Sequence, residues 1–359
     1  MPTAPIRIAI IGPGKVAHLH AQAVLQTPDA ELVAVYGRTY QKAEDFANHY
    51  NIRAYSDVYD MVDRENVDLC LVCTTHPAHR EPTVAALNAG SHVLVEKPLA
   101  SSLEDCDAMI EAARKNNRYL GVIGQRRFYA PSMRIREAID SGKIGKPVLG
   151  TIQMLGWRSE EYYKSDDWRG TWDKEGGGVL VNQSPHQLDL LLWYMGDIDE
   201  VYGVWRNLNH PYIEVDDTAL AIIKFKNGGL GNIIVSNSQK PGIFGKVHVH
   251  GENGASVGVQ TDGGALFIAG MSTITDPPVN DLWTVPGEEN LLAQFVAEDT
   301  AFFNTIDATV YYFGVQIAEF CDAIRNNRPP LVTGEDGRKV VALFQAIYES
   351  TRTGLPVKL

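Results

Sequence analysis

The segment IAIIGPGKVAHLHAQAV, residues 8–24, decides the reading of the amino-terminal half. An apolar run ends at Gly12, a G-x-G-x-x-A turn runs through Gly12, Gly14 and Ala17, and helix-like residues follow. Strand, tight turn and helix in that order lay a pyrophosphate on a helix amino terminus. Gly12 permits the turn, Gly14 lets the backbone approach the phosphates, and Ala17 allows close helix packing. A glycine pattern alone is a weak signal, but this one opens the first strand–helix–strand unit of a longer alternating series. It predicts a dinucleotide-binding domain.

Outward from that turn, the runs IRIAII, ELVAVYG, DLCLVCT, HVLVEK and YLGVIG alternate with helix-like stretches as far as about residue 124. This is the rhythm of a doubly wound parallel sheet. After EKPLA, Ser101 is expected to cap a helix, with Glu104 completing a capping box and Leu103, Cys106, Ile110 and Ala113 lining one face. Past about Phe128 the rhythm changes to a short helix-like stretch and then VLGTIQML, TALAIIKF, LGNIIVSN and KVHVHG, with glycine turns at 227–229 and 251–254. Strands joined by turns predict a largely antiparallel sheet in an α+β domain. Two helices close the chain. One carries Val310, Phe313, Ile317, Phe320 and Ile324 on a stripe, and the other runs from about Glu335 to Thr353 before Gly354 and Pro356.

With 359 residues, 45% hydrophobic and 21% charged, the chain suits two globular domains. A net charge of −12 repels polyanions, so nucleic acid is not an expected partner. The amino terminus lacks a signal-peptide pattern, and no stretch is long enough to span a membrane. Four cysteines in a chain of this size make no disulfide framework, and the cytoplasm is the expected location. Cys70 and Cys73 have C-x-x-C spacing but lie within the apolar run VDLCLVCTT, so they read as structural, with no metal site.

Three places carry chemistry. The second strand ends Tyr36-Gly37-Arg38-Thr39, where Gly37 supplies no carboxylate for a ribose and Arg38 could pair with a 2′-phosphate. That leans toward NADP over NAD, although Arg38 could also stack on adenine. Lys15 and Val16 on the turn, and Thr74, Thr75 and His76 after the next strand, complete the cofactor candidates on this side. The run HVLVEKP delivers Glu96 and Lys97 at the carboxyl end of a parallel strand, where such folds place ligands. Lys97 could steer a substrate hydroxyl and relay its proton, or be a surface lysine before a capping turn. In GGGVLVNQSPHQLDLLLWYMG, residues 176–196, Ser184 is expected to cap a helix with Pro185 at its first position, placing His186 in the first turn. The positive helix end would keep His186 neutral and available as a base, and a capped helix with an incidental histidine is the alternative. His186, Asp189 and Trp193 are expected on one face.

The chain resembles the Gfo/Idh/MocA oxidoreductases, on GPGKVA, AGSHVLVEKPLA, SGKIGKP, DWRGTW and GGGVLVNQSPHQLDLLLWYMG in family order. The resemblance implies an N-terminal Rossmann domain, 1–125, and a C-terminal α+β domain with a large open sheet, 126–359, for substrate binding and oligomerisation. The last helix is a candidate to pack back on the first domain. It further implies an active site between the domains, a homodimer or homotetramer, and hydride transfer between nicotinamide and a secondary alcohol or ketone of a sugar, cyclitol or sugar derivative. Lys97 and His186 match the family's catalytic positions. Gln125, Arg127, Arg158, Tyr163, Trp168 and Arg169 are implied to line the cleft, or to be surface, domain-contact or internally ion-paired residues. Many members carry Asp where this chain has Asn182, which can hydrogen-bond a hydroxyl but cannot take its proton. Two other readings stay open: a redox-silent dinucleotide-binding regulator of the same fold, and a reductase of a non-sugar substrate.

Overall fold

The apolar run Ile6–Ile11 forms strand β1, buried on both faces as a parallel strand between helix layers requires. The computed structural model describes residues 4–240, 244–263, 266–268 and 271–359. After β1 come α1 (Lys15–Gln26), β2 (Ala30–Tyr36), α2 (Tyr40–Tyr50), β3 (Arg53–Tyr55), α3 (Val58–Glu65) and β4 (Leu69–Val72). Then follow α4 (Arg80–Asn88), β5 (His92–Val95), α5 (Leu103–Lys115) and β6 (Leu120–Val122). These strands form a six-stranded sheet in the order β3-β2-β1-β4-β5-β6, all parallel. The order reverses between β1 and β4, which puts the ligand crevice of such a sheet at their carboxyl ends. β3 escapes the sequence pattern because it is three residues long with an exposed first residue. Cys70 and Cys73 are buried free thiols, and burial pushes the Cys70 thiol up to about 12.

The α5 cap differs from expectation by one residue. Ser102, in extended backbone, accepts the Asp105 amide at 3.1 Å, so the expected Ser101–Glu104 box is replaced by a Ser102 cap.

The second unit contains α6 (Ala130–Asp140), β7 (Pro147–Leu155), α7 (Glu160–Lys164), α8 (Pro185–Met195), β8 (Ile198–Arg206), β9 (Thr218–Phe225) and β10 (Leu230–Ser236). It continues with β11 (Phe244–Gly251), β12 (Ser256–Thr261), β13 (Leu266–Ile268), β14 (Met271–Thr273), β15 (Val279–Trp283) and α9 (Leu292–Phe303). The chain ends with α10 (Tyr311–Arg325), α11 (Gly334–Thr353) and β16 (Val357–Lys358). Among the described residues an eight-stranded sheet runs β15-β12-β11-β7-β10-β9-β8-β16. Its pairs are antiparallel except β7–β10. Alternate residues point inward, as in β9. α8 is buried along nearly its whole circumference, and Leu191 and Met195 press so closely on Gly150 of β7 that a methyl there would lie 2.7 Å from each.

Two compact units result: Met1–Gln125 with Thr309–Val341, and Arg126–Ala308 with Ala342–Leu359. The single boundary expected after residue 125 is therefore crossed again at 309, and α10 groups with the first unit rather than the second. The cause is its apolar stripe: Val310, Ile317, Phe320 and Cys321 join the core of the parallel sheet, with Phe313 and Ile324 packed against it. Gln316 adds a buried amide that accepts from Gly124 N at 3.0 Å and donates to the Val122 carbonyl at 2.8 Å. α9 answers to no expected element. No helix among the described residues is long and apolar enough to cross a membrane.

Candidate active site

In the first unit the glycine turn stands where β1 meets α1. Gly12 has φ +98°, donates to the Tyr36 carbonyl at 2.8 Å, and a methyl on it would lie 2.9 Å from Thr74 Cγ2 and 3.0 Å from Thr74 N. The protein itself therefore demands glycine there. Gly14 differs: its φ is −86°, and a methyl would meet only the Cys73 carbonyl at 3.9 Å. Space is left beside the backbone at the residue just before α1. Among the described residues no side chain caps that helix end, and its first turn carries no carboxylate. The positive end of a helix dipole with room for close approach fits a nucleotide pyrophosphate. Ala17 is fully buried, as tight helix packing needs. Lys15 and Val16 form the first turn of α1.

The neighbouring strand ends complete this half. Gly37 is packed against Ala43 and Pro13, whose atoms would lie 3.1 and 3.2 Å from a methyl there. Arg38 is exposed at the end of β2. Thr74 bonds through its hydroxyl to the Ala78 carbonyl at 3.0 Å, Thr75 is exposed, and His76 is 8% exposed at the start of a short 3-10 turn. His79, absent from the sequence candidates, ties two of these loops together. One ring nitrogen faces the Pro98 carbonyl at 3.0 Å and the other the Thr74 carbonyl at 3.0 Å. Burial holds its pKa below the usual histidine value.

Glu96 is anchored rather than offered to solvent. Its Oε1 meets His20 Nε2 of α1 at 2.8 Å and its Oε2 accepts the Lys97 amide at 3.0 Å. Although burial opposes ionisation, the His20 bond and the Lys97 charge hold the Glu96 carboxyl below its ordinary range. Lys97, half-buried, thus has its backbone pinned by the Glu96 carboxylate, which is itself anchored on His20 of α1. Gln125 closes the first unit with a buried amide oxygen that has no hydrogen-bond partner among the described residues.

In the second unit the GGG segment folds otherwise than expected. A π-helical turn, Val179–Gln183, runs directly into α8, and Ser184 has helical backbone with no capping bond; its hydroxyl returns to the Leu180 carbonyl at 3.1 Å. The amino end of this helical segment lies instead at Gly178, where Asp216 accepts Gly178 N at 2.7 Å and Leu180 N at 2.9 Å. His186 is therefore not in the first turn after a free helix end, and the expected dipole argument for its neutrality lapses. The residue is 8% exposed. Asp189, one turn on, is held by Arg127 through two bonds of 2.9 and 2.6 Å, with the guanidinium 5.2 Å over Trp193. Arg127, 2% exposed, is thus engaged in an internal ion pair.

The remaining candidates gather around Tyr162, which the sequence reading did not include. Arg169 lies 4.3 Å over its ring and 4.4 Å over Trp168, and donates to its hydroxyl at 2.5 Å. Arg158 stands 5.3 Å over the same ring, and Tyr163 packs edge-on to it at 5.1 Å. Asn182 donates to the Tyr162 hydroxyl at 3.2 Å and to Glu175 at 2.5 Å. Arg158, Tyr163, Trp168, Arg169 and Asn182 are thereby brought into one aromatic and hydrogen-bonded cluster. Tyr162, Glu175 and Asp216 escaped notice because a tyrosine beside another, an acid before a glycine run and an acid between strands carry no local signature.

Comparison with known proteins identifies the family. Residues 6–123 match the oxidoreductase family with an NAD-binding Rossmann fold, and residues 132–257 match the Gfo/Idh/MocA C-terminal domain. The chain is 27% identical to scyllo-inositol 2-dehydrogenase (NAD(+)) of Bacillus subtilis (strain 168), over 99% of this chain and 96% of that one. It is also 27% identical to 1,5-anhydro-D-fructose reductase of Ensifer adhaerens, over 97% of each. The WlbA dehydrogenase from Bordetella pertussis, solved in complex with NADH and UDP-GlcNAcA, superposes with a TM-score of 0.86 at 26% identity, covering 100% of this chain and 99% of that one. With a glycine turn shaped for a dinucleotide in the first unit and matches to both of the family's domains, the chain belongs to the Gfo/Idh/MocA family of NAD-binding oxidoreductases.

Proposed function

We propose that this protein is an NAD(P)-dependent dehydrogenase or reductase acting on a secondary alcohol or ketone of a sugar, cyclitol or sugar derivative, with Lys97 and His186 handling the proton. The observation that carries the reading is the room at Gly14 beside an uncapped helix end, which fits a pyrophosphate. Bound there, the nicotinamide supplies the hydride acceptor or donor. The chain's own residues then align the alcohol carbon and move one proton. Lys97 carries the ammonium that steers the hydroxyl, on a backbone held by Glu96 and His20. His186 takes or returns the proton, a role Asn182 cannot fill. Arg158, Trp168 and Arg169 offer donors beside aromatic faces, a surface suited to a sugar ring. Arg38 is exposed at the end of β2, where Gly37 supplies no carboxylate for a ribose, and its guanidinium would pair with the 2′-phosphate of NADP. The assembly is a homodimer or homotetramer.

The test is thermal stabilisation by NAD and NADP at matched concentrations, followed by nicotinamide absorbance across inositols, aldoses, ketoses and a nucleotide-activated uronic acid. Larger stabilisation by NADP is expected, and larger stabilisation by NAD would reverse the assignment of Arg38. Lys97→Ala and His186→Ala are each expected to lower kcat by about 10²- to 10⁴-fold. Full activity in both would refute the mechanism, and dinucleotide binding without turnover would favour the redox-silent regulator.

A further inference from the structure

His20 is a polar side chain on the buried face of α1, which it shares with Ala17, Ala21 and Val24. It is 1% exposed, Phe313 of α10 stands edge-on to its ring at 4.6 Å, and its Nδ1 meets no hydrogen-bond partner among the described residues. Its Nε2 faces Glu96 Oε1 at 2.8 Å, and since a carboxylate only accepts, the hydrogen of that bond sits on Nε2. A buried imidazole–carboxylate pair adds little stability over well-packed apolar side chains, so stability does not account for its placement.

What the pair does hold is the next residue. The other Glu96 oxygen accepts the Lys97 amide at 3.0 Å, and beyond Lys97 the Pro98 carbonyl meets His79 at 3.0 Å. Lys97 thus stands between two anchors, each ending on a buried histidine. Gly14 opens the helix that carries His20, so the element that would seat a pyrophosphate also fixes the lysine's position.

We propose that His20 is a positioning residue whose Nε2–H keeps Glu96 a carboxylate in one place, so that Glu96 can hold Lys97 where it handles the proton. The inference rests on the reading above that Lys97 has that role; His20 itself touches no reacting atom. Glu96 is 7% exposed, and burial by itself favours its neutral acid. The groups facing it are His20 from α1, Cys73 after β4, His79 before α4, and Lys97 beside it. Burial keeps the Cys73 thiol and the His79 ring uncharged near neutral pH. His20 and Lys97 are left to oppose burial, and together they hold the Glu96 carboxyl below its ordinary range. Without the His20 donor burial prevails, Glu96 takes up a proton near neutral pH, and a neutral acid grips the Lys97 amide more weakly.

The experiment measures kcat and KM for a polyol that the enzyme turns over, from about pH 5.5 to 9, with whichever of NAD and NADP stabilises the protein more. The wild type is compared with His20→Leu, His20→Asn and His20→Gln. Gln places an amide nitrogen where Nε2 stands, whereas Asn is too short to reach Glu96 and Leu has no donor. His20→Leu and His20→Asn should shift the acid limb of kcat up by more than about one pH unit, losing about tenfold per unit below it, with KM within about threefold. At about pH 9 both should recover to within about threefold of the wild-type kcat. His20→Gln should keep the wild-type limb. An unmoved limb in His20→Leu and His20→Asn overturns the proposal, and so does a loss that is equal at every pH, which marks a packing defect. A second measurement follows glutamate carboxyls by carbon-13 NMR, with the Glu96 signal identified by its loss in Glu96→Gln. In the wild type Glu96 should stay ionised down to about pH 5, and in His20→Asn it should titrate more than about one unit higher. An unmoved Glu96 titration overturns the proposal even if His20→Leu fails to fold. If no polyol is turned over, the proposed function falls, and the NMR titration still decides whether His20 governs Glu96.

Discussion

At Gly12 a side chain would collide with the Thr74 backbone while φ is +98°, whereas at Gly14 a methyl has room and an ordinary φ of −86°. The two substitutions should therefore separate folding from binding. Gly12→Ala is expected to destabilise the fold by about 1–3 kcal/mol, seen as a lower melting temperature without any cofactor. Gly14→Ala should melt within about 0.5 kcal/mol of wild type yet lose most of the stabilisation that NAD or NADP confers. A Gly14→Ala protein with full cofactor stabilisation would show that the pyrophosphate does not lie there. Among single residues, the glycines, Arg38, Lys97 and His186 could be named in advance because each belongs to a local motif. Tyr162, Glu175 and His79 could not, since their meaning comes from partners such as Pro98, 19 residues from His79.

Helix α8 and the turn before it show how an element can be recognised and its end misread. A Ser-Pro pair before an apolar run predicts a cap, and Pro185 does stand in the first turn of α8. Yet the π-helical turn carries the helix back to Gly178, and the anion at its end is Asp216, 38 residues away. Asp216 is fully buried and also accepts the Tyr348 hydroxyl at 2.7 Å. Burial outweighs these bonds and raises its carboxyl from 3.8 to about 6. A carboxyl whose folded-state pKa is raised contributes stability below its unfolded value and loses it as pH rises through the folded one. Ionisation of Asp216 should thus remove up to about 3 kcal/mol between about pH 4 and 6. Asp216→Asn forfeits one helix-end bond but escapes that penalty. Its melting temperature, measured against wild type, should therefore improve in relative terms as pH rises through the window. A difference that stays flat with pH would mean Asp216 titrates normally.

For the molecule as a whole, the uncovered face of the eight-stranded sheet argues for self-association. Register aligns Val204, Leu220 and Ile234 in one row and Tyr202 and Ile222 in the next, with Leu149 beside Leu230 in a third. All seven side chains are exposed, from 37% for Val204 to 61% for Ile222, a larger apolar surface than scattered residues would make. A second copy of the same face is the proposed cover. Leu220→Glu with Ile222→Lys should shift the protein to monomer in sedimentation velocity, and an unchanged assembly would place the contact elsewhere. By itself the amino-acid sequence determined the parallel sheet, the dinucleotide turn and the alternation of the second sheet, because each is written in neighbouring residues at the period of a strand or helix. Only the tertiary structure decided that α10 returns to the first unit, that Asp216 rather than Ser184 ends the α8 segment, and that Asn182 meets the Tyr162 hydroxyl. Those outcomes depend on groups tens to nearly two hundred residues apart, as with Gln316 and Gly124 at a separation of 192, and no local pattern encodes such a meeting.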